Sequence, residues 1–295
     1  MLPEETPERL VADLVLLLDM EPRGANRFEG RRWKLTPGRL FGGQVIAQAL
    51  AAAEQTVAPD RAAHSLHAYF LRTGSSDLPI SYMVTNDFDG RSFSNRRVVA
   101  SQQGEPILNL TASFHVGEQG VEHQRVPMPD VAQPEDLEPM SRQLARLSEI
   151  WGPDKAIPIK RPLSFDIRTV EEPCWLTQDK SEAVAHTWVR AVAPLPDDPR
   201  VHRAVLAYAS DMQLLMTALR PHGKSMVRGD ARGASLDHAI WFHEPFHADE
   251  WLLYVTESPW AGNGRGFTRG QIFSRDGRLV ASTAQEGVLR AVKQD

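Results

Sequence analysis

An α+β architecture, two tandem copies of a long helix laid across a curved antiparallel sheet, follows from three features of the chain. Two segments, at 42–57 and 200–219, carry apolar residues at helical spacing. Each is followed by short strand-like runs punctuated by turn glycines. The two halves also repeat similar pieces in the same order. His67-Ala-Tyr-Phe matches His238-Ala-Ile-Trp-Phe, and Gly90-Arg-Ser-Phe-Ser matches Gly264-Arg-Gly-Phe-Thr.

In the first half, Val45, Ile46, Ala49, Leu50, Ala53 and Val57 line one face of the expected helix. Strand-like SLHAYFL, PISYMVTNDF, RSFSNRRVVASQ and PILNLTASFHV follow, with turns at Asp89-Gly90 and Gly104. In the second half, Val201, Val205, Ala209, Met212, Met216 and Leu219 form the stripe of one helix, which Pro221 and Gly223 stop. SLDHAIWFH, EWLLYVTES, GRGFTRGQIFS and LVASTAQEGVLRAV then read as strands. Between the halves lies a stretch rich in proline (Pro127, Pro129, Pro134, Pro139, Pro153, Pro158, Pro162), with one short helix over 141–151. It reads as a linker and divides the chain into residues 1–116, 117–159 and 160–295. Two such units imply a pseudo-two-fold pair with sites near the junction.

The 295 residues, 42% hydrophobic and 24% charged, suffice for a large core. Lys and Arg number 33 against 38 Asp and Glu, a net charge of −5, which argues against a nucleic-acid partner. Cys174 is the single cysteine, so an intrachain disulfide and a Cys-rich metal site are both excluded. The aliphatic run at 14–18 is flanked by Asp13 and Asp19, far short of the ~18 apolar residues of a membrane span. The start, MLPEETPERL, lacks the basic and apolar regions of a signal peptide. A cytoplasmic protein with no membrane association is expected.

Some motifs match in letters and fail in physics. His243-Glu-Pro-Phe-His247 fits the H-E-x-x-H zinc pattern, which needs both histidines on one helical face. Pro245 disfavours that helix, so no metal is expected. Ser235, Asp237 and His238 suggest a hydrolase triad, yet strand alternation would turn His238 away from the other two. No G-x-S-x-G elbow is present. GNGRG at 262–266 leads into a strand and reads as a hairpin turn rather than a phosphate cradle.

Three residues remain as carriers of chemistry. Asp211 lies at the border of the second helix stripe beside Tyr208 and Leu215, as a hydrogen-bonded structural residue or a poised base. Its counterpart in the first helix is taken as Gln44, which cannot accept a proton. Gln285 sits in the last strand where the first half has Ser113; its amide can bond a neighbouring backbone, or hold a water or an oxyanion. Ser235 opens a strand and offers a hydroxyl.

FGGQVIAQAL, HSLHAYFLRTG, DGRSFSNRRVVASQQGEPI, TASFHV, LAYASD, LDHAIWFHEPF, EWLLY and RGFTRGQIF…DGRLVASTAQEG together resemble the acyl-CoA thioesterase II family, a bacterial and peroxisomal group with a double hotdog fold. The resemblance runs in order from about Phe41 to Arg290 and implies hydrolysis of fatty acyl-CoA to free acid and CoA, with no cofactor. It also implies a catalytic set of Asp211, Ser235 and Gln285; better known members carry Thr at the position of Ser235. Asp211 would accept a proton from a water held by the other two. Backbone N–H groups at Gly43 and Gln44, or the Gln285 amide, would meet the oxyanion, with His67 near the cleft. Arg91, Arg265 and Arg269 are the candidates for the CoA phosphates. The partner implied is acyl-CoA, and the sheet edge favours a dimer or tetramer of chains. A hydratase on this fold would need a G-D-x-N-P-x-H type segment that is missing here. A non-catalytic acyl-CoA sensor is the alternative, and the polar trio weighs against it.

Overall fold

The computed structural model of the protein describes residues 6–32, 38–151 and 163–292. Helix α1 (Pro7–Leu18) opens it, its N-terminus capped by Thr6 Oγ accepting the Arg9 N–H at 3.3 Å. Strands β1 (Glu21–Pro22) and β2 (Arg27–Gly30) precede helix α2 (Gly42–Glu54). Then come β3 (Ala62–Phe70), β4 (Ile80–Asp89), β5 (Phe93–Gln102) and β6 (Glu105–His115). A 3-10 turn (Pro134–Asp136) and helix α3 (Met140–Trp151) follow. The second half holds β7 (Phe165–Thr169), β8 (Val184–Ala191), helix α4 (Pro199–Ser210) and a 3-10 segment (Leu214–His222). It closes with β9 (Ala231–Ser235), β10 (Asp237–Phe242), β11 (Leu252–Gly262), β12 (Arg265–Ser274) and β13 (Leu279–Ala291).

All the strands join one antiparallel sheet in the order β1-β2-β4-β5-β6-β3-β10-β13-β12-β11-β8-β7, with β9 added alongside β13. The halves meet where β3 pairs with β10, Leu66 opposite Ile240 and Ala68 opposite His238. Strands β5 and β6 bury alternate residues against the helices, Val98 and Ala100 of the first and Leu108, Leu110 and Ala112 of the second. Inside, α2 and α4 lie against each other, and Ile46, Leu50 and Val205 are fully buried. Each such side chain contributes about 1.5–3 kcal/mol. A buried ion pair, Glu54 to Arg203 at 2.8 Å, ties the two helices together.

The expected helix over 42–57 stops at Glu54. The expected single helix over 200–219 is a more substantial correction. α4 ends at Ser210, Asp211 closes it, and a 3-10 segment continues. Ser210 Oγ turns back to donate to the Ala207 carbonyl at 3.0 Å, a local bond that competes with helix propagation. The stripe from Val201 to Leu219 is therefore not one helical face.

Two segments do more than their sequence announced. The aliphatic run at 14–18 belongs to α1, where Leu14, Leu17 and Leu18 face the common core. α1 also reaches the second half: Val11 packs on Ala191 and Ala193, and Ser164 Oγ donates to the Leu10 carbonyl at 2.9 Å. The proline-rich stretch lies across the outer face of the second-half strands. Val126, Met128 and Val131 pack on Trp188, Trp251, Leu253 and Phe273. Trp188 Nε1 donates to the Ala132 carbonyl at 2.9 Å, and Gln124 Nε2 to that of Gly277 at 2.9 Å. The expected boundary near residue 160, with Pro153, Pro158 and Pro162, lies outside the described residues. No helix among the described residues is long and apolar enough to cross a membrane.

Candidate active site

The break in α4 places a carboxylate where another helix begins. Phe41 at the N-cap of α2 supplies no side-chain acceptor, so the first N–H groups of that helix need partners from elsewhere. Asp211 provides one: the Gly43 N–H donates to its carboxylate. The positive end of the α2 dipole favours a negative charge there. The approach is close enough to require glycine. A Cβ at Gly42 would stand 2.6 Å from Asp211 Oδ2, and one at Gly43 would stand 2.4 Å from the Tyr208 carbonyl oxygen.

Burial pushes the Asp211 carboxyl above its ordinary value; His238, hydrogen bonds from Gln285 and Ser235, and the Gly43 amide pull the other way and offset only part of the rise. Ser235, the last residue of β9, donates through Oγ to Asp211 Oδ1 at 3.3 Å. Gln285 Nε2 donates to Ser235 Oγ at 2.7 Å, and Gln285 itself is buried. Its carbonyl oxygen receives His238 Nδ1, whose opposite nitrogen lies 2.9 Å from Ser210 Oγ. Because Gln285 offers an acceptor on that side, the proton of the His238 ring belongs on Nδ1. A chain of hydrogen bonds thus links His238, Gln285, Ser235 and Asp211.

The strand geometry explains how residues so far apart in sequence meet. Ser235 pairs with Gly287 of β13, and the chain then steps at Leu236, whose N–H donates to the Glu286 carbonyl at 2.9 Å, before β10 begins. That step resets the alternation. Ser235 and His238 both face Gln285, while Asp237 turns aside to accept the Glu286 N–H at 2.6 Å. The expectation that His238 points away is corrected here. The motif match of His67 with His238 also fails by one residue in facing. His67 stands on the outer side of the sheet against Trp241, ring centroids 5.0 Å apart, whereas His238 is wholly buried. Sequence reasoning passed over His238, although it shares the inward face with Ile240 two residues on.

The remaining expected residues are spread more widely. Gln44 is buried in the first turn of α2 and donates to the Arg31 carbonyl at 3.4 Å. By position it is no counterpart of Asp211; Gln55, which closes α2, is. Arg91 is exposed at the turn before β5. Arg269 is paired with Glu257 at 2.5 Å on the outer face of the sheet. Arg265 lies 3.4 Å from Glu286 and over the Trp260 ring at 5.7 Å. None of these three arginines lines the cavity beside Asp211. That cavity, of about 250 Å³, is walled by the apolar Phe41, Met212, Leu215, Met216 and Met226, with Arg39, Gln213 and Ser235 adding polar groups beside Asp211. The H-E-x-x-H stretch is a loop, with His243 Nε2 2.8 Å from Ser282 Oγ.

Two helices gripped by one continuous antiparallel sheet, with a polar group at their junction, define a double hotdog protein. A solved structure from Alicyclobacillus acidocaldarius described as having a hot dog fold matches it with TM-score 0.73 at 20% identity, over 95% of this chain and 99% of that one. The profile for acyl-CoA thioesterase matches residues 162–288, and that for the acyl-CoA thioesterase N-terminal domain matches residues 31–115. Acyl-CoA thioesterase 2 of Haemophilus influenzae is 39% identical over 95% of this chain and 98% of its own length. The crystal structure of an acyl-CoA thioesterase II from Mycobacterium marinum is likewise 39% identical, with TM-score 0.76 over 94% of this chain and 98% of that one. The chain belongs to the acyl-CoA thioesterase family.

Proposed function

We propose that the protein hydrolyses acyl-CoA to a carboxylic acid and CoA by direct attack of water, with Asp211 as general base. A water beside the Asp211 carboxylate gives up a proton to it as the water oxygen bonds to the thioester carbonyl carbon. The tetrahedral intermediate collapses with cleavage of the C–S bond, and the proton held by Asp211 passes to the departing CoA sulfur. Ser235 and Gln285 position the water. First-turn N–H groups of α2 other than that of Gly43, which the Asp211 carboxylate holds, meet the developing oxyanion with the positive end of the helix dipole behind them.

The observation that carries this reading is the Asp211 carboxylate, enclosed, raised in pKa and lining a cavity with an apolar wall at a helix N-terminus. Water is the nucleophile in this reading, and Ser235, whose Oγ accepts from Gln285 Nε2 at 2.7 Å and donates to Asp211 Oδ1 at 3.3 Å, is a positioning group. The apolar wall of methionines and leucine suits an acyl chain. The test is CoA release from a panel of saturated acyl-CoAs, short to long, by wild type and Asp211→Asn. Turnover should appear in the wild type and fall by about 10²–10⁴-fold in the variant. Full activity in Asp211→Asn would overturn the assignment, and binding without turnover in the wild type would make the protein a sensor.

A further inference from the structure

A second cavity, of about 380 Å³, lies between the 3-10 segment and strands β9, β12 and β13. Lys180, His222, Lys224, Arg265 and Arg290 line it, and no Asp or Glu does. In a chain of net charge −5 such a concentration of cations is the reverse of the average. Among the described residues, Lys180, Lys224 and Arg290 have no carboxylate within ion-pair distance; Arg265 is shared with Glu286 at 3.4 Å. Uncompensated like charges around one hollow repel each other and lower stability unless an anion enters. Leu219 and Leu289 add an apolar wall beside the cations. A ligand with several phosphates and a flat apolar part fits that pairing.

The position of this hollow ties it to the site. The 3-10 segment carries Leu215 and Met216 in the cavity beside Asp211, then Ala218, Leu219 and His222 in the cationic one. β9 likewise has Ser235, Ala234 and Gly233 in the first and Ala231 in the second. Arg290 stands five residues beyond Gln285 on β13, about 17 Å at ~3.4 Å per residue. The extended arm between the sulfur and the diphosphate of a CoA thioester spans a distance of that order.

We propose that the cavity bounded by Lys180, His222, Lys224 and Arg290 holds the phosphate-bearing nucleotide end of the CoA thioester. The inference rests on the thioesterase reading for its ligand and adds a second anchoring site to it. Lys224 and Arg290 supply the cations, and the apolar wall receives the base. Arg91 and Arg269 then have no part in holding the nucleotide.

The experiment compares wild type with the Lys224→Gln/Arg290→Gln double variant, and with Lys180→Gln in case the double variant folds poorly. Two readouts are taken: CoA binding by calorimetry, and kcat/KM for the best acyl-CoA against the matching acyl-pantetheine, which has no nucleotide. The expected result is a CoA Kd raised about tenfold or more, with the acyl-CoA to acyl-pantetheine ratio of kcat/KM falling by a similar factor. High salt should weaken wild-type CoA binding more than that of the double variant. Unchanged CoA affinity, or an equal loss on both thioesters, would overturn the proposal while leaving the hydrolase reading intact. CoA binding that weakens in the variants, in a wild type that turns over no thioester, would uphold this site and remove the hydrolase reading. A wild type that binds no CoA would overturn the site.

Discussion

The carboxylate of Asp211 caps a helix that belongs to the other half of the molecule: it closes α4 and accepts the N–H of Gly43 in the first turn of α2. The internal duplication thereby acquires a polarity. At the far end of the same helix pair, Glu54 of α2 meets Arg203 of α4 at 2.8 Å, so each end of the pair is joined by one carboxylate. The two carboxylates have opposite surroundings. Asp211 lies among hydroxyl, amide and imidazole groups, while Glu54 is buried beside the Arg203 guanidinium, with Arg200 also near.

The first consequence concerns pH. A base acts only when deprotonated, and burial raises the Asp211 carboxyl above its ordinary value. The kcat/KM of the wild type for acyl-CoA should fall on the acid side with a midpoint above the usual carboxylate range, losing tenfold per pH unit below it. Asp211→Asn should keep a low residual rate without that limb. An acid limb at an ordinary carboxylate pKa would show that the titrating group is not an enclosed one.

Ser235 separates a hydroxyl requirement from a steric one. Ser235→Ala leaves Gln285 Nε2 without its 2.7 Å acceptor and removes one of the donors to Asp211. The rate constant kcat should drop about 10–10²-fold, as misplaced reacting groups do. Ser235→Thr restores the hydroxyl and stiffens χ1, and its kcat should stay within a few-fold of wild type. Equal loss in both variants would assign Ser235 to packing alone. Steady-state kinetics, together with thermal melting to confirm folding, decide between the two.

The ease with which these features are read from the sequence follows from how local their causes are. The starts of both long helices and most of the strands depend on periodicity within ten or so residues, so the helix over 42–57 and the four strands after it are visible in the sequence, as are β10 to β13 after α4, while β9 is not. The end of α4 is not, because Asp211 closes the helix on partners in α2 and β9, far away in sequence, and Ser210 lies against His238 of β10. The facing of His238 depends on the step at Leu236, a single residue that alternation cannot anticipate. The role of α1 escaped for a related reason: Val11 and Leu10 find their partners at Ala191 and Ser164, more than 150 residues away. Asp211, Ser235 and Gln285 come from a motif resemblance, since spacing alone leaves each with an ordinary structural reading.

Gly43 tests whether the close approach of the helices matters. A Cβ there would stand 2.4 Å from the backbone carbonyl of Tyr208, which no side-chain rotation relieves. Gly43→Ala should therefore push α2 from α4, lowering stability by about 1–3 kcal/mol and lengthening the bond to Asp211. Urea unfolding reads the first effect and kcat the second. A variant with wild-type stability and rate would mean that the junction yields without consequence, and the Gly43 amide would lose its place in the site.

Glu54 carries a pH dependence of stability separate from that of the rate. Burial raises its carboxyl from 4.5 to about 7, against the opposing pull of Arg203. Between those values the folded protein holds a proton that the unfolded chain has released. The contribution of this group to stability is thus complete below 4.5, declines as pH rises and is gone above about 7. Glu54→Gln cannot titrate. The unfolding free energy of wild type minus that of Glu54→Gln, measured in urea at intervals from pH 5 to 8, should fall with rising pH by at most about 1.4 kcal/mol per unit and then level off. A difference that stays flat, or rises, would place the Glu54 carboxylate in its ionised form throughout, held by Arg203 strongly enough to outweigh burial.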